Sequence, residues 1–247
     1  NSMPRTMRTF FDPNLQDSDK LIVLDEIESH HLRTVLRLKA GDRIEALDGR
    51  GHKYLSEIKT MDSRQVELGV LEKGFIEELA PKFRLVIAMP KGNRWENMIR
   101  PLTELGVGRM TPLLSDHSEC KNFKNKQDLK KQKWQKIAID ACKQSGNAWL
   151  PVFDSPQSFS YFIENISENE KVFIGSLSQS ASPFKCQEMG NAEVVSLLIG
   201  PEGGWSQKEM ELADKAGLIS FTLGKNTLRL ENAAVCGLAV ARESFIL

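Results

Sequence analysis

Apolar positions change their spacing once along the chain, near residue 80. Before that point they come in short runs separated by turn residues. Arg8-Thr9-Phe10-Phe11 and Leu21-Ile22-Val23-Leu24 read as strands. Ser29 is placed to cap a short helix carrying His31, Leu32, Val35 and Leu36, and Gly41-Asp42 turns the chain. Arg43 to Leu47 alternates, with Ile44 and Ala46 inward, and Asp48-Gly49-Arg50-Gly51 predicts a hairpin. Tyr54 to Lys59 and Gln65 to Leu71 follow as strands around the turn Met61-Asp62-Ser63. Five or six short strands in roughly 70 residues predict a small β-barrel.

Gly74 to Lys82 reads as a linker, and beyond it strands alternate with helices. Leu85 to Met89 is a buried strand. Trp95, Met98, Ile99, Leu102 and Leu105 recur at helical spacing, with Pro101 among them. A proline there costs about 3 kcal/mol, which predicts a kink or a restart. Arg109 to Leu114 is the next strand. Lys121 to Lys143 carries eight lysines and two acids around an apolar stripe of Trp134, Ile137, Ala138, Ala141 and Cys142. It fits either a solvated amphipathic helix or a face that meets phosphates. Ala233 to Glu243 is apolar enough for a buried helix.

Three further strands, near 171–175, 194–199 and 219–223, each run into a glycine: Gly175, Gly200 and Gly224. In an open α/β sheet, ligands bind at the carboxyl ends of strands, so these loops could meet around one small molecule. The middle one is the most distinctive: Leu197-Leu198-Ile199-Gly200-Pro201-Glu202-Gly203-Gly204-Trp205-Ser206, with Glu209 completing a capping box. It is neither GxxxxGK[ST] nor GxGxxG, so the two common nucleotide loops are disfavoured.

The bulk numbers narrow the picture. At 247 residues the chain holds one large or two modest domains. Lys+Arg and Asp+Glu are both 33, so nucleic-acid binding has to rest on local patches. Cys120, Cys142, Cys186 and Cys236 form no CxxC pair and read as reduced, cytosolic and mostly buried. No membrane span or signal peptide is visible, and Asn1-Ser2 reads as an expression remnant. His30 and His31 are adjacent while His52 and His117 stand alone, which suits a helix start better than a metal.

Glu104-Leu105-Gly106-Val107, Ile199-Gly200-Pro201-Glu202-Gly203-Gly204, and Leu223-Gly224 with Leu228-Arg229 and Glu231, in that order, resemble the ribosomal RNA small subunit methyltransferase E family of the SPOUT superfamily. Arg8 to Phe11, His30-His31-Leu32, Val35-Leu36-Arg37, Gly41-Asp42, Trp134 to Ala138 and Gln144-Ser145-Gly146 fit as well, so nearly the whole chain is covered. The resemblance implies a PUA-like β-barrel RNA-binding domain at residues 3–74 and a trefoil-knotted SPOUT α/β methyltransferase domain at 82–247. It implies a cytoplasmic homodimer, without metal, that uses S-adenosylmethionine to methylate N3 of one uridine of 16S rRNA in the small ribosomal subunit. This chain departs from the family at Leu230 (commonly polar), Asn232 (usually Thr), Asn147 (often Arg) and Pro101.

Carried onto this chain, the cofactor residues are Gly175, Leu198, Ile199, Gly200, Pro201, Gly203, Gly204, Leu223, Gly224, Leu228 and Asn232. Arg229 would stabilise negative charge on the base, or only pair with Glu202 or Glu231. Glu202 would accept or relay a proton, favour the cofactor's positive charge, or merely hold its loop. Arg8, His30, His31, Arg33, Arg37, Lys133 and Lys136 would meet RNA. A non-catalytic RNA-binding protein with a degenerate knot domain, and a SPOUT enzyme acting on tRNA, stay open as alternatives.

Overall fold

A computed structural model describes residues 6–16, 19–62, 64–118, 127–176, 181–184 and 190–246. The chain divides into two compact units, residues 1–78 with Ile139–Leu150, and Leu79–Ala138 with Pro151–Leu247.

The first unit contains β1 (Arg8–Phe10), β2 (Leu21–Val23), α1 (Glu26–His30) continued by a π-helical turn His31–Val35, β3 (Arg43–Leu47), β4 (His52–Met61) and β5 (Val66–Phe75). The strands form one five-stranded sheet in the order β1-β3-β4-β5-β2, a half-barrel. Ile22, Leu32, Ile44, Ala46, Tyr54, Ile58, Val66 and Leu68 fill its core, so alternation placed Ile44 and Ala46 correctly. The helix cap differs from expectation. Asp25 is the N-cap, its carboxylate accepting from the Glu28 N–H at 2.8 Å. Ser29 lies buried inside the helix, where its Oγ donates to the Leu24 carbonyl and accepts from the Val66 N–H. Asp25 holds the position just before the first turn, and its carboxylate is the stronger acceptor. Glu28, also buried, accepts from Thr9 Oγ1 at 2.7 Å and pairs with Lys143 at 2.6 Å.

The second unit comprises β6 (Lys82–Ala88), α2 (Arg94–Glu104), β7 (Arg109–Leu114), α3 (Gln127–Ser145), β8 (Val152–Phe153), β9 (Gln157–Ser158), α4 (Phe159–Glu164), β10 (Glu170–Gly175), β11 (Ser182–Pro183), β12 (Val194–Ile199), α5 (Gln207–Lys215), β13 (Ile219–Thr222) and α6 (Leu230–Ile246), with the end of α3 counted in the first unit. Its sheet runs β11-β13-β10-β12-β6-β7-β8, with β9 beside β7, and every pairing is parallel. Phe159 and Phe162 of α4 and Ala213 of α5 pack with Val86, Val172, Ile174 and Leu198 on one face. On the other, α6 lies over β12 and β6 and beside α2, with Gly237 close to Leu197 and Ile199.

Helix α2 runs through Pro101 without a restart, and the Pro101 carbonyl still accepts from the Leu105 N–H. Burial of Trp95, Met98, Ile99 and Leu102 offsets the proline, since each such side chain contributes about 1.5–3 kcal/mol. In α3, Trp134, Ala138, Ala141 and Cys142 form the buried stripe while Lys133 and Lys136 are exposed; Lys121 to Lys126 lie outside the described residues. Cys142 is buried, and that burial pushes its thiol up to about 12. Cys236 is exposed on the outer side of α6, contrary to the expectation of mostly buried cysteines, because Ala234 and Leu238 take the inward positions. Cys120 and Cys186 lie outside the described residues.

A polar cluster lies toward the amino ends of these strands. Arg84 donates to Thr111 Oγ1 at 2.9 Å and sits 3.3 Å from Asp154 and 3.5 Å from Glu170, while Ser196 donates to Glu170. Its guanidinium lies over the Phe162 ring, 5.0 Å from the centroid. One cation thus ties β6, β7 and β10 together beneath α4. Removing one member of a buried pair leaves a charge without its partner, at a cost of about 3–5 kcal/mol. Arg84→Leu is expected to lower the unfolding free energy by about 3 kcal/mol at unchanged m-value in urea melts; a loss under about 1 kcal/mol would contradict this role.

Candidate functional site

The carboxyl ends of β10, β12 and β13 sit side by side because β12 and β13 both pair with β10. Each strand ends in a loop: Gly175-Ser176 after β10, Gly200 to Trp205 after β12, and Leu223 to Leu228 after β13. Together these loops enclose a cavity of about 330 Å³, whose walls include Ile199, Met210, Phe221, Leu223, Leu228 and Leu230. That size and mostly apolar lining suit a small organic ligand, and the loop peptides supply polar edges.

Trp205 holds two of the loops together. Its indole N–H donates to the Gly175 carbonyl at 2.9 Å, and its ring lies edge-on to Phe159 with centroids 5.4 Å apart. A Cβ on Gly200 would stand 2.9 Å from Trp205 Cε2, so the glycine is needed for the indole to lie there. At Gly224 the reason is backbone conformation, with φ at +129° in a tight turn where Thr222 Oγ1 accepts from the Gly224 N–H. The loop after β12 is also braced from its far side. Ser206 and Glu209 form the expected capping box at the start of α5. Ser206 Oγ donates to Asp116 at 2.6 Å, and His117 Nδ1 lies 3.0 Å from the Gly204 carbonyl.

Of the residues expected to hold a cofactor, Gly175, Ile199, Gly200, Pro201, Gly204, Leu223, Gly224 and Leu228 line this cavity. Leu198, Gly203 and Asn232 are outside its lining. Leu198 is fully buried under α4 and α5, Gly203 faces His117, and Asn232 is exposed on α6. Leu230, the apolar departure, is buried and forms part of the wall.

Charge gathers on one side of the cavity. Glu202 lines it, Glu231 stands in the first turn of α6, and Arg94 opens α2. Arg94 takes both carboxylate oxygens of Glu231, at 2.6 and 2.9 Å, and reaches Glu202 at 2.8 Å. Arg229 is exposed just ahead of α6 and makes no side-chain ion pair or hydrogen bond among the described residues. The cation beside Glu202 and Glu231 is therefore Arg94 rather than Arg229. The sequence held one overlooked signal for it: a positive charge in the first turn of a helix is electrostatically disfavoured and calls for carboxylate partners.

The residues expected to meet RNA belong to other elements. His30 is exposed and His31 half-buried, with Arg33 half-buried on the same helical segment and donating to the Asp62 carbonyl at 2.7 Å. Arg37 is exposed, at φ +54° just past its end. Arg8 is engaged within its unit, with Glu45 at 2.6 Å and the Lys143 carbonyl at 3.3 Å. Lys133 lies 3.5 Å from Glu96, and Lys136 is exposed. Among the described residues no cluster of three or more His, Cys, Asp or Glu could hold a metal, and no helix is long and apolar enough to cross a membrane.

Residues 77–242 match the RNA methyltransferase domain family, and residues 24–71 match the RNA methyltransferase PUA domain family. A curated relative from Synechocystis, a ribosomal RNA small subunit methyltransferase E, is 34% identical over 88% of this chain and 71% of its own length. Among solved structures, a Legionella pneumophila protein in complex with the bound cofactor SAM is 27% identical with a TM-score of 0.81, covering 98% of each chain. A Neisseria gonorrhoeae ribosomal RNA small subunit methyltransferase E bound to S-adenosyl methionine shares the fold, with a TM-score of 0.84 at 23% identity over 96% of this chain and 97% of its own.

The rim pairing has a pH signature. Hydrogen bonding to Arg94 holds the Glu231 carboxyl down to about 2, against partial burial that pushes the other way, with the charges of Arg94 and Arg229 adding to the lowering. A carboxylate depressed in the folded state contributes stability that is complete above its unfolded value and drains away as pH falls toward the folded one. Between about pH 5 and pH 2, the melting temperature of Glu231→Gln should therefore fall less than that of the unaltered protein. Parallel declines in the two proteins would show that the pairing adds nothing to stability.

Proposed function

Because the chain belongs to the ribosomal RNA small subunit methyltransferase E family, with a SPOUT α/β-knot domain after a PUA-like half-barrel, we propose that it methylates 16S rRNA with S-adenosylmethionine as donor, at N3 of one uridine. The observation that carries this reading is the cavity enclosed by the loops after β10, β12 and β13. When bound there, S-adenosylmethionine supplies a methyl group already activated on a sulfonium. The residues suit it: Ile199, Phe221, Leu223 and Leu230 offer apolar walls to a flat ring, and the Glu202 carboxylate favours a cation.

Uridine N3 carries a proton and becomes a nucleophile only as that proton leaves. Negative charge then spreads over the base and its carbonyl oxygens. Arg229, an exposed cation beside the cavity, stabilises that charge. Glu202, on the cavity lining, is the carboxylate that accepts or relays the proton. The uridine has to turn out of its helix, since N3 lies on the pairing edge.

Residues 3–74 serve as the RNA-binding domain and residues 82–247 as the catalytic one. His30, His31, Arg33 and Arg37 on the half-barrel, and Lys133 and Lys136 on α3, meet the RNA backbone. With a net charge of zero, the chain has little long-range pull on naked RNA, which favours the assembled small subunit as substrate. The working form is a cytoplasmic homodimer.

The test is transfer of radiolabelled methyl from S-adenosylmethionine to small subunits lacking the modification, beside naked 16S rRNA and tRNA. Label confined to the small subunit and mapped to N3 of one uridine is expected. Label on tRNA, or on no RNA at all, would overturn the reading. In the same assay Arg229→Ala should lose transfer by at least about 100-fold while its affinity for S-adenosylmethionine stays within about threefold. Loss of both together would refute the catalytic assignment. Gly200→Ala, which displaces Trp205, should weaken S-adenosylmethionine binding by about tenfold or more in calorimetry; an unchanged affinity would separate this loop from the binding site.

A further inference from the structure

The pairing of Arg94 with two acids has a consequence for Arg229. Glu231 and Glu202 are both bonded to one guanidinium, although they come from α6 and from the loop after β12. In Glu231 both oxygens are taken by Arg94, through its Nε and Nη2. A bidentate fork of this kind is the strongest arrangement a guanidinium and a carboxylate can adopt. Arg229 lies only two residues before Glu231 and is exposed. Without Arg94, the two carboxylates would draw in the nearest mobile cation by Coulomb attraction. Arg94 also begins α2, where the helix dipole opposes a positive charge. That local conflict is resolved by the two carboxylates.

We propose that Arg94 is a positioning residue for methyl transfer: by occupying Glu231 and Glu202 it fixes the start of α6 against the loop after β12 and leaves the Arg229 guanidinium available to the RNA substrate. The assignment rests on the function proposed above for Arg229. Arg94 acts through other residues and need not touch the base or the methyl donor. Lysine could not replace it, since a single ammonium cannot fork across Glu231 while also reaching Glu202.

Arg94→Met keeps much of the side-chain stem and removes the charge. At saturating S-adenosylmethionine it should transfer methyl to small subunits about 100-fold more slowly, with cofactor affinity within about threefold of the unaltered protein. Adding Glu231→Gln removes the carboxylate that would capture Arg229, so Arg94→Met/Glu231→Gln should recover to within about tenfold of the unaltered rate. A crystal structure of Arg94→Met should place the Arg229 guanidinium within about 4 Å of Glu231. Unchanged transfer in Arg94→Met would overturn the proposal. So would a double variant as slow as the single one, or Arg229 still unpaired in the crystal. If the unaltered protein transfers no methyl to any RNA, the proposed function fails, and the crystal structure of Arg94→Met still decides whether Arg94 keeps Arg229 unpaired.

Discussion

The Trp205 indole is the contact on which the cavity depends. It reaches the Gly175 carbonyl at the end of β10, lies against Gly200 at the end of β12 and meets the edge of Phe159 from α4. Neighbouring parallel strands bring their carboxyl ends together whatever their sequence, but loops leaving those ends have no reason to converge. A rigid aromatic plate bonded to one loop and seated under another supplies that reason. The missing side chain at Gly200 follows from it, because a Cβ there would stand 2.9 Å from the indole.

Charge is organised around the same sheet in two places. At the amino ends of the strands Arg84 draws Asp154 and Glu170 together under α4, in a setting from which water is largely excluded. At the carboxyl ends Arg94 draws Glu202 and Glu231 together on a partly exposed rim. The first cluster joins strands and serves stability. The second joins the starts of two helices to the loop after β12 and adjoins the cavity. A chain with no net charge can thus still present a defined charge pattern at the rim of the cavity.

Much of this was legible in the sequence. Runs of alternating or apolar residues located the strands, and Ser206 with Glu209 announced the start of α5, because those signals are local. The three strand-end glycines pointed to one site for a topological reason, and eight of the eleven expected cofactor residues line the cavity. Leu198 belongs to the same apolar run as Ile199, and the strand's alternation turns it into the core, outside the lining. The knot came only through family resemblance, since local signals carry no information about threading. Arg94 was missed because its partners lie 108 and 137 residues away. Nor could the cap at Asp25 be separated from Ser29, as both are good caps and burial decides between them.

Whether the three loops form the S-adenosylmethionine site is decided by a crystal structure of the protein grown with that molecule. Density is expected between Gly175, the Gly200–Trp205 loop and the Leu223–Leu228 loop, against Leu230 and beside Glu202. Density seated elsewhere on the protein, or an empty cavity in crystals grown at saturating concentration, would contradict it.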